Sequence, residues 1–313
     1  MNTTIQALNT TSEIMSTRLI KKDIYEISDL TGLAQKCDWF IGNGQILNIS
    51  NTDNPKVVFM TSYRGHSVLN YFVKAVLKTI SSPFILIIAS EDYTFPSGIG
   101  DKRWNMYVNL KNQIKTLLDN DMILHIFVEN LDTVHEKMSP IPLGLLFNDN
   151  RMLDLSQYAN VDFSNRHNFC FFSHRLRIGP QWQDRTNTSE YCKTAWKFVD
   201  HHETLPKREF IEKLKNSKFC ICVHGGGYDP CPRFFEAILY GAIPIIEHSP
   251  LDPVFSKFPV VFVDNWTVDS ISEEMLSEKL KVLRSYYEDK DKRMEVLRLL
   301  TMDYWWDIIS NFK

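Results

Sequence analysis

Phe219-Cys-Ile-Cys-Val223, His224-Gly-Gly-Gly-Tyr-Asp-Pro230, Cys231-Pro-Arg-Phe-Phe-Glu-Ala-Ile-Leu-Tyr-Gly241 and Ile243-Pro-Ile-Ile-Glu247 follow one another without a gap that matters. The first and last are short apolar runs of the kind that form strands buried on both faces. Between them, Pro232 suits the first turn of a helix running to Tyr240, and Gly241 suits its stop. The stretch therefore reads as strand, glycine loop, helix, strand. Three glycines before a helix let the backbone approach a ligand closely and leave N–H groups unpaired, a favourable place for a phosphate. Arg233 sits in the first helical turn, where the macrodipole disfavours a cation, so a phosphate partner would explain it. Glu236 lies on the same face and could accept hydrogen bonds from the hydroxyls of a nucleotide sugar. Alternatively, the two form an i,i+3 ion pair and the glycines only make a turn.

The same alternation extends outward in both directions. Upstream, Val57–Thr61, Phe84–Ala89 and Ile123–Val128 read as strands, with helices expected over Val68–Ile80 and Trp104–Leu118 and a further one near Ile20–Leu33. Pro140, Pro142 and Gly144 break the pattern, and the polar stretch Asn148–Asn168 reads as a crossing between domains. A second series begins at Phe169–Ser173, followed by the basic loop His174–Gly179 and a helix over Lys207–Lys215. Val260–Val263 adds a strand, and Ile271–Tyr287 and Met294–Ile309 read as closing helices, the last aromatic enough to pack back across the molecule. Strands alternating with helices imply parallel sheets with helices on both faces. The expected division is a leader at 1–34, one α/β unit at 35–160, a second at 161–290 and a terminal helix at 291–313.

Composition limits the function classes. The 313 residues are 44% hydrophobic and 23% charged, enough apolar material for a sizeable core and too little charge excess for disorder. Lys+Arg 35 against Asp+Glu 38 gives a formal charge of -3, so no global basic field favours nucleic acid. Six scattered cysteines without a C-x-x-C pair suit a reducing compartment rather than a disulfide framework. No apolar run approaches membrane-spanning length, so a soluble, cytoplasmic protein without a membrane anchor is expected. The sequons at Asn2, Asn9, Asn48, Asn187 and Asn265 are then accidental. Walker A lacks its Lys after the glycines, and the dinucleotide G-x-G-x-x-G is absent. His201-His-Glu-Thr-Leu-Pro206 lacks the second His of a zinc helix, so no protein-built metal site is expected.

At the glycine-loop helix the sequence resembles the exostosin-like glycosyltransferases. The resemblance rests on Lys218–Cys220, Gly225–Gly227, the Arg-Phe-x-Glu-Ala-x-x-x-Gly run Arg233–Gly241 and Ile243–Ile246. Phe127–His135 with Ile141–Gly144, and Phe172-Ser-His-Arg-Leu-Arg177, are similar to soluble relatives from large DNA viruses and microbes, for which the host cytoplasm would be the setting. The resemblance implies a GT-B-type α/β fold, two Rossmann-like domains with parallel sheets facing across a cleft. It implies an inverting, metal-independent transfer, with no cofactor, from a nucleotide sugar, a UDP-sugar above all, to an oligosaccharide or glycoprotein glycan. Two departures stand out: His224 replaces the family's proline before the glycines, and the Golgi anchor of animal exostosins is missing.

Within that frame the donor side comprises Ser173, Arg175, Arg177, His224, Gly225, Gly226, Gly227, Tyr228, Arg233 and Glu236. Arginines and amides would neutralise the departing nucleoside diphosphate, and Tyr228 would lie against the base or sugar. The base that takes the acceptor's proton should come from the other domain, and both Asp92, after the strand Phe84–Ala89, and His66, after Val57–Thr61, are placed for it. Asp101 and Arg103 would shape the acceptor pocket. Two other readings remain open at this stage: a GDP-fucose-dependent enzyme of the same architecture, and a non-catalytic carbohydrate-binding protein.

Overall fold

The computed structural model describes residues 11–103, 108–146 and 152–312. After a short strand, β1 (Thr11–Glu13), the chain builds a six-stranded sheet from β2 (Trp39–Gly42), β3 (Gln45–Asn48), β4 (Val57–Thr61), β5 (Phe84–Ala89), β6 (Ile123–Val128) and β7 (Met138–Pro140). Its order is β3-β2-β4-β5-β6-β7; β3 runs antiparallel to β2 and all other pairs are parallel. β4 and β5 are buried at every position, as strands covered on both faces must be. Helices α1 (Gly65–Tyr71) and α2 (Lys111–Leu118) belong to this unit, and β8 (Met152–Asp154) returns to pair antiparallel with β1.

A second sheet of five parallel strands follows, in the order β10-β9-β11-β12-β13. It consists of β9 (Asn168–Ser173), β10 (Val199–His202), β11 (Ser217–Ile221), β12 (Ile243–Glu247) and β13 (Val261–Val263). Its helices are α3 (Gln183–Thr194), α4 (Lys207–Asn216), α5 (Pro232–Tyr240) and the single turn α6 (Asp252–Phe255). The chain closes with α7 (Glu273–Leu283), α8 (Ser285–Glu288), α9 (Lys290–Arg298) and α10 (Met302–Ser310).

Several elements differ from the sequence reading. No α-helix forms near Ile20–Leu33; two 3-10 turns, Ile27–Asp29 and Gly32–Lys36, stand there, because Gly32 at φ +59 packs where a Cβ would lie 2.3 Å from the Ser16 carbonyl oxygen. The helix read at Val68–Ile80 starts earlier, at Gly65, and passes into a π turn, Phe72–Val76, and a 3-10 turn, Leu77–Thr79. The helix read from Trp104 is α2, from Lys111; residues 104–107 lie outside the described ones, as do 148–151 of the crossing and the sequons at Asn2 and Asn9. The rest of the crossing carries β8 and two 3-10 turns capped by Asp154 and Asp162. The single helix read at Met294–Ile309 is two, because Thr301 caps α10 from an extended conformation and bridges to Ile14. Ile271–Tyr287 divides into α7, capped by Ser272, and α8.

Helix α5 is fastened at both ends. Pro232 opens it and Gly241, at φ +82, closes it in the left-handed conformation. Two buried arginines cap its last carbonyls. Arg293, fully buried, donates to the carbonyls of Ile238 (2.6 Å), Leu239 (3.0 Å) and Tyr158 (3.1 Å). Arg166 donates to those of Tyr240 (2.8 Å), Leu214 (3.0 Å) and Ser217 (2.6 Å). Cations at this helix end complement the macrodipole, so the favourable pole offered to a ligand lies at the other end, beside the glycine loop.

Candidate active site

A cavity of about 420 Å³ opens between the two α/β units. Its second-unit wall is the glycine loop Gly225–Gly227, Asp229 and Cys231 after β11, with Trp182 and Arg185 from the start of α3 and Arg177 from the loop after β9. The opposing wall is Asp92, from the loop after β5, and the arm Ser16–Lys22, which contributes Arg18 and Lys22. The loops after β5, β9 and β11 follow the carboxyl ends of parallel strands, where open α/β sheets hold ligands.

The loop's hydrogen bonding is incomplete. The Gly225 N–H donates to the Asp229 carbonyl (3.1 Å), closing the turn. The N–H groups of Gly226 and Gly227 have no partner among the described residues. Side chains are also excluded here: a Cβ on Gly226 would lie 2.2 Å from the Arg103 guanidinium, and one on Gly227 would lie 2.3 Å from Asn130 Oδ1 and 2.7 Å from the Asp92 carbonyl oxygen. The glycines thus serve contact between the two units as well as approach to a ligand.

Three guanidiniums gather on one indole. Arg177, Arg185 and Arg103 lie 4.8, 5.1 and 5.6 Å from the Trp182 ring. Arg103 is neutralised by a two-pronged pair with Asp101 (3.0 and 2.9 Å). Arg185 donates to the His224 carbonyl (2.9 Å) and to Cys231 Sγ (2.7 Å), and neither it nor Arg177 has a carboxylate partner among the described residues. An uncompensated pair of cations beside two free amides is a site for an anion.

The opposing wall is acidic around a single buried hub. Arg18 pairs with Asp92 and with Glu129 (2.8 Å), approaches Glu91 (3.6 Å) and donates to the Ser90 carbonyl (3.2 Å). Lys22 pairs with Glu91. Burial works against the Asp92 carboxylate, but Arg18, Arg103 and Lys22 outweigh it and hold its pKa below the usual carboxylate range. Asp229 behaves oppositely: burial, reinforced by the charge of Glu129, pushes its pKa up to about 8.

The structure divides the sequence candidates. Arg177, the three glycines and Asp92 line the cavity. His66 is exposed at the start of α1 and is not among the lining residues. Arg175 is exposed, and Ser173 is buried at the end of β9. Arg233 lies behind the loop: its guanidinium donates to the buried His174 ring (2.8 Å), stacks on Phe210 at 5.4 Å and leaves its Nε buried without a partner. Glu236 pairs with Lys207 rather than with Arg233. Tyr228 packs on Gly100 of the facing unit. His224 Nε2–H donates to Asp184 Oδ2 (3.0 Å); with Glu247 these bring one ligand atom each within 4.8 Å of one another and are, among the described residues, those that could hold a cation, although the charge of Lys102 already acts on both carboxylates.

Arg18, Lys22, Trp182, Arg185, Glu129 and Asp229 were absent from the sequence candidates. Asp229 stands inside the glycine stretch and was within reach. The others come from segments without an amphipathic or glycine signal.

Two parallel α/β units facing a cleft make this a GT-B-type fold. Residues 104–267, a little over half of the chain, match the family model of the exostosin GT47 domain, and the chain belongs to that family. It is a glycosyltransferase. No curated protein matches it by sequence. Among solved structures it is similar to HepE (Alr3699) of Anabaena in complex with UDP and glucose, at 8% identity and a TM-score of 0.44 over 80% of this chain and 75% of that one. It is also similar to the α,α-trehalose 6-phosphate synthase of Burkholderia multivorans, at 9% identity and a TM-score of 0.44 over 80% and 70%. A third is the spinosyn rhamnosyltransferase SpnG complexed with thymidine diphosphate, at 10% identity and a TM-score of 0.38 over 82% and 73%. No helix among the described residues is long and apolar enough to cross a membrane.

Proposed function

We propose that the chain is an inverting, metal-independent glycosyltransferase that moves a sugar from a UDP-sugar to a glycan hydroxyl, with the donor diphosphate seated on the Gly226 and Gly227 amides between Arg177 and Arg185. The observation that carries this reading is the pairing of two unpartnered loop amides with two guanidiniums that have no carboxylate partner among the described residues, all on one cavity. Such fixed donors stabilise the charge that develops on a departing diphosphate without reorganising, and here the arginines supply the positive charge that a divalent cation would otherwise bring. Arg233 supports the site from behind, through His174, rather than from the cavity.

A single displacement needs a base across the cleft from the leaving group. Asp92 lies there, on the first unit's wall, with its carboxylate part-exposed to the cavity and ionised at neutral pH. Arg18 fixes its orientation through Oδ1, and Oδ2, which has only the longer ion pair with Arg103 (3.7 Å), is the oxygen to receive the acceptor's proton. The geometry favours Asp92 over the exposed His66. The six free cysteines suit a reducing setting, the cytoplasm.

Titration calorimetry with UDP and GDP, followed by a turnover assay over a panel of UDP-sugars with oligosaccharide acceptors, tests the reading. UDP binding that is lost in Arg185→Gln and weakened in Arg177→Gln, with β-configured product from an α-linked donor, supports it. Preference for GDP turns the reading to a fucosyltransferase-like enzyme, and absence of any nucleotide binding overturns it in favour of a carbohydrate-binding protein.

A further inference from the structure

Among the described residues, Asp229 is the one acidic side chain on the phosphate-facing wall, and charge alone argues against a carboxylate at that position. It is 5% exposed. Its Oδ1 accepts the Cys231 N–H (2.7 Å), which holds the side chain, and its backbone N–H donates across the cleft to Asn130 Oδ1 (3.1 Å), which holds the backbone beneath it. Asp229 lines the cavity, and its Oδ2 is buried there with no hydrogen-bond partner among the described residues. An unpaired oxygen in such a place is costly unless a ligand completes it.

The charged groups facing it are of both signs. Asp92 from the loop after β5 and Glu129 from the loop after β6 are acidic; Arg18 of the arm is the cation that they share. Glu129 already takes the Thr17 hydroxyl (2.7 Å), the Ser90 N–H (2.7 Å) and Arg18, and Asp92 takes Arg18 and Arg103. On the other side Cys231 lies between Asp229 and Arg185, whose guanidinium is turned to the sulfur. Asp229 is thus the acid left without a cation of its own, in a cavity that must admit a polyanion.

Resting on the donor reading above, we propose that Asp229 acts as a neutral carboxyl whose Oδ2–H donates a hydrogen bond to a phosphate oxygen of the donor, so that the donor binds only to the protonated site. An ionised Asp229 would instead set two acceptor-only groups of like charge against each other. The upward shift to about 8 agrees with this, and a bound diphosphate shifts it further in the same direction. The structure thereby assigns a residue that makes donor affinity depend on pH in the alkaline range.

The test is UDP binding by calorimetry from pH 7.5 to 9.5, where the phosphates of UDP are fully ionised and only the uracil N3–H begins to titrate, at the upper end. Wild-type affinity should fall roughly 25-fold across that range, approaching tenfold per pH unit, and at pH 8.5 binding should take up a proton, read from two buffers of different ionisation heat. Asp229→Asn keeps the acceptor for Cys231 and an N–H donor for phosphate but cannot ionise; its affinity should lose the steep fall and change by less than about threefold across the range. Lys22, also on the cavity, would give a similar slope by losing its own proton, so Lys22→Met should retain the wild-type slope. A flat wild-type profile without proton uptake overturns the proposal and leaves the donor site standing. So does a slope that persists in Asp229→Asn or vanishes in Lys22→Met. If UDP fails to bind at pH 7.5, where Asp229 is protonated, the donor reading falls and this inference falls with it.

Discussion

Alanine at Gly227 and alanine at Gly226 should have very different consequences although the residues are neighbours. At Gly226 the intruding methyl would meet the Arg103 guanidinium at 2.2 to 2.5 Å, the end of a side chain that can shift against its Asp101 pair without moving the backbone of the facing unit. At Gly227 it would meet the Asp92 carbonyl oxygen at 2.7 Å, about 0.7 Å inside the 3.4 Å where ordinary contact begins, and that oxygen belongs to the backbone of the facing unit. It would also meet Asn130 Oδ1 at 2.3 Å, whose amide is fixed by the Asp229 N–H and the Glu91 carbonyl (3.3 Å). Relief therefore requires the two units to separate and the Asn130–Asp229 bond to break. Overpacking of this kind costs about 1–3 kcal/mol and the lost bond about 1 kcal/mol more. Separation of the walls transfers that cost to the ligand, so UDP affinity should fall about 10- to 100-fold in Gly227→Ala and less than about fivefold in Gly226→Ala. Calorimetry at pH 7.5, with thermal melts of the unliganded proteins, measures both. Equal losses in the two variants would refute the close-approach argument.

Three further outcomes follow from the same geometry. Arg293→Met removes three hydrogen bonds from a buried guanidinium and exposes the end carbonyls of α5 to an apolar side chain; a loss of about 3 kcal/mol is expected, readable as a melting point lowered by about 5–10 °C. His125, 4% exposed and stacked on Phe312 at 3.9 Å, is pushed down to about 4 by burial. Between about 6.5 and 4 the unfolded chain takes up a proton that the folded one refuses, so stability falls as pH drops through that window, and His125→Gln should recover about 1–2 kcal/mol of the loss between pH 7 and 4.5 in urea melts. Asp92→Asn should abolish turnover while UDP affinity stays within about threefold; full activity in this variant would remove Asp92 as the base.

The strands legible in the sequence are those mostly buried on both faces. β4, β5, β6, β9, β11, β12 and β13 are short, mainly apolar runs, too short for helices of ordinary length. The hairpin of β2 and β3 passed unread even though Asn43-Gly44 joins them with both residues at positive φ, the strongest short hairpin signal. α3 and β10 carry no such signal: the buried positions of α3 are Arg185, Thr188, Ser189 and Cys192, so its inward face is polar and its apolar period is lost. The glycine loop as a ligand wall was readable because loop, helix start and helix stop are local. Arg233 was placed correctly on the first turn of α5, but whether a side chain there turns to the cavity or to His174 depends on packing from β9 and α4. Arg18 and Lys22 reach the cavity from a segment some seventy residues before Asp92, and nothing in their neighbourhood foretells that distance.

The arm that carries them is itself strapped to the end of the chain. The Met15 N–H donates to the Leu300 carbonyl (2.8 Å), Ile14 bridges to Thr301, and the Thr17 N–H donates to the Leu143 carbonyl (3.0 Å). Although the two sheets are consecutive in sequence, the wall opposite the glycine loop is therefore built from three distant stretches held in register by the closing helices. Chimeras meant to exchange donor preference by grafting residues 161–290 alone will carry over the amides and arginines without Arg18 and Lys22 or the strap that positions them. A transplantable cassette must include residues 14–22 and 290–312 as well.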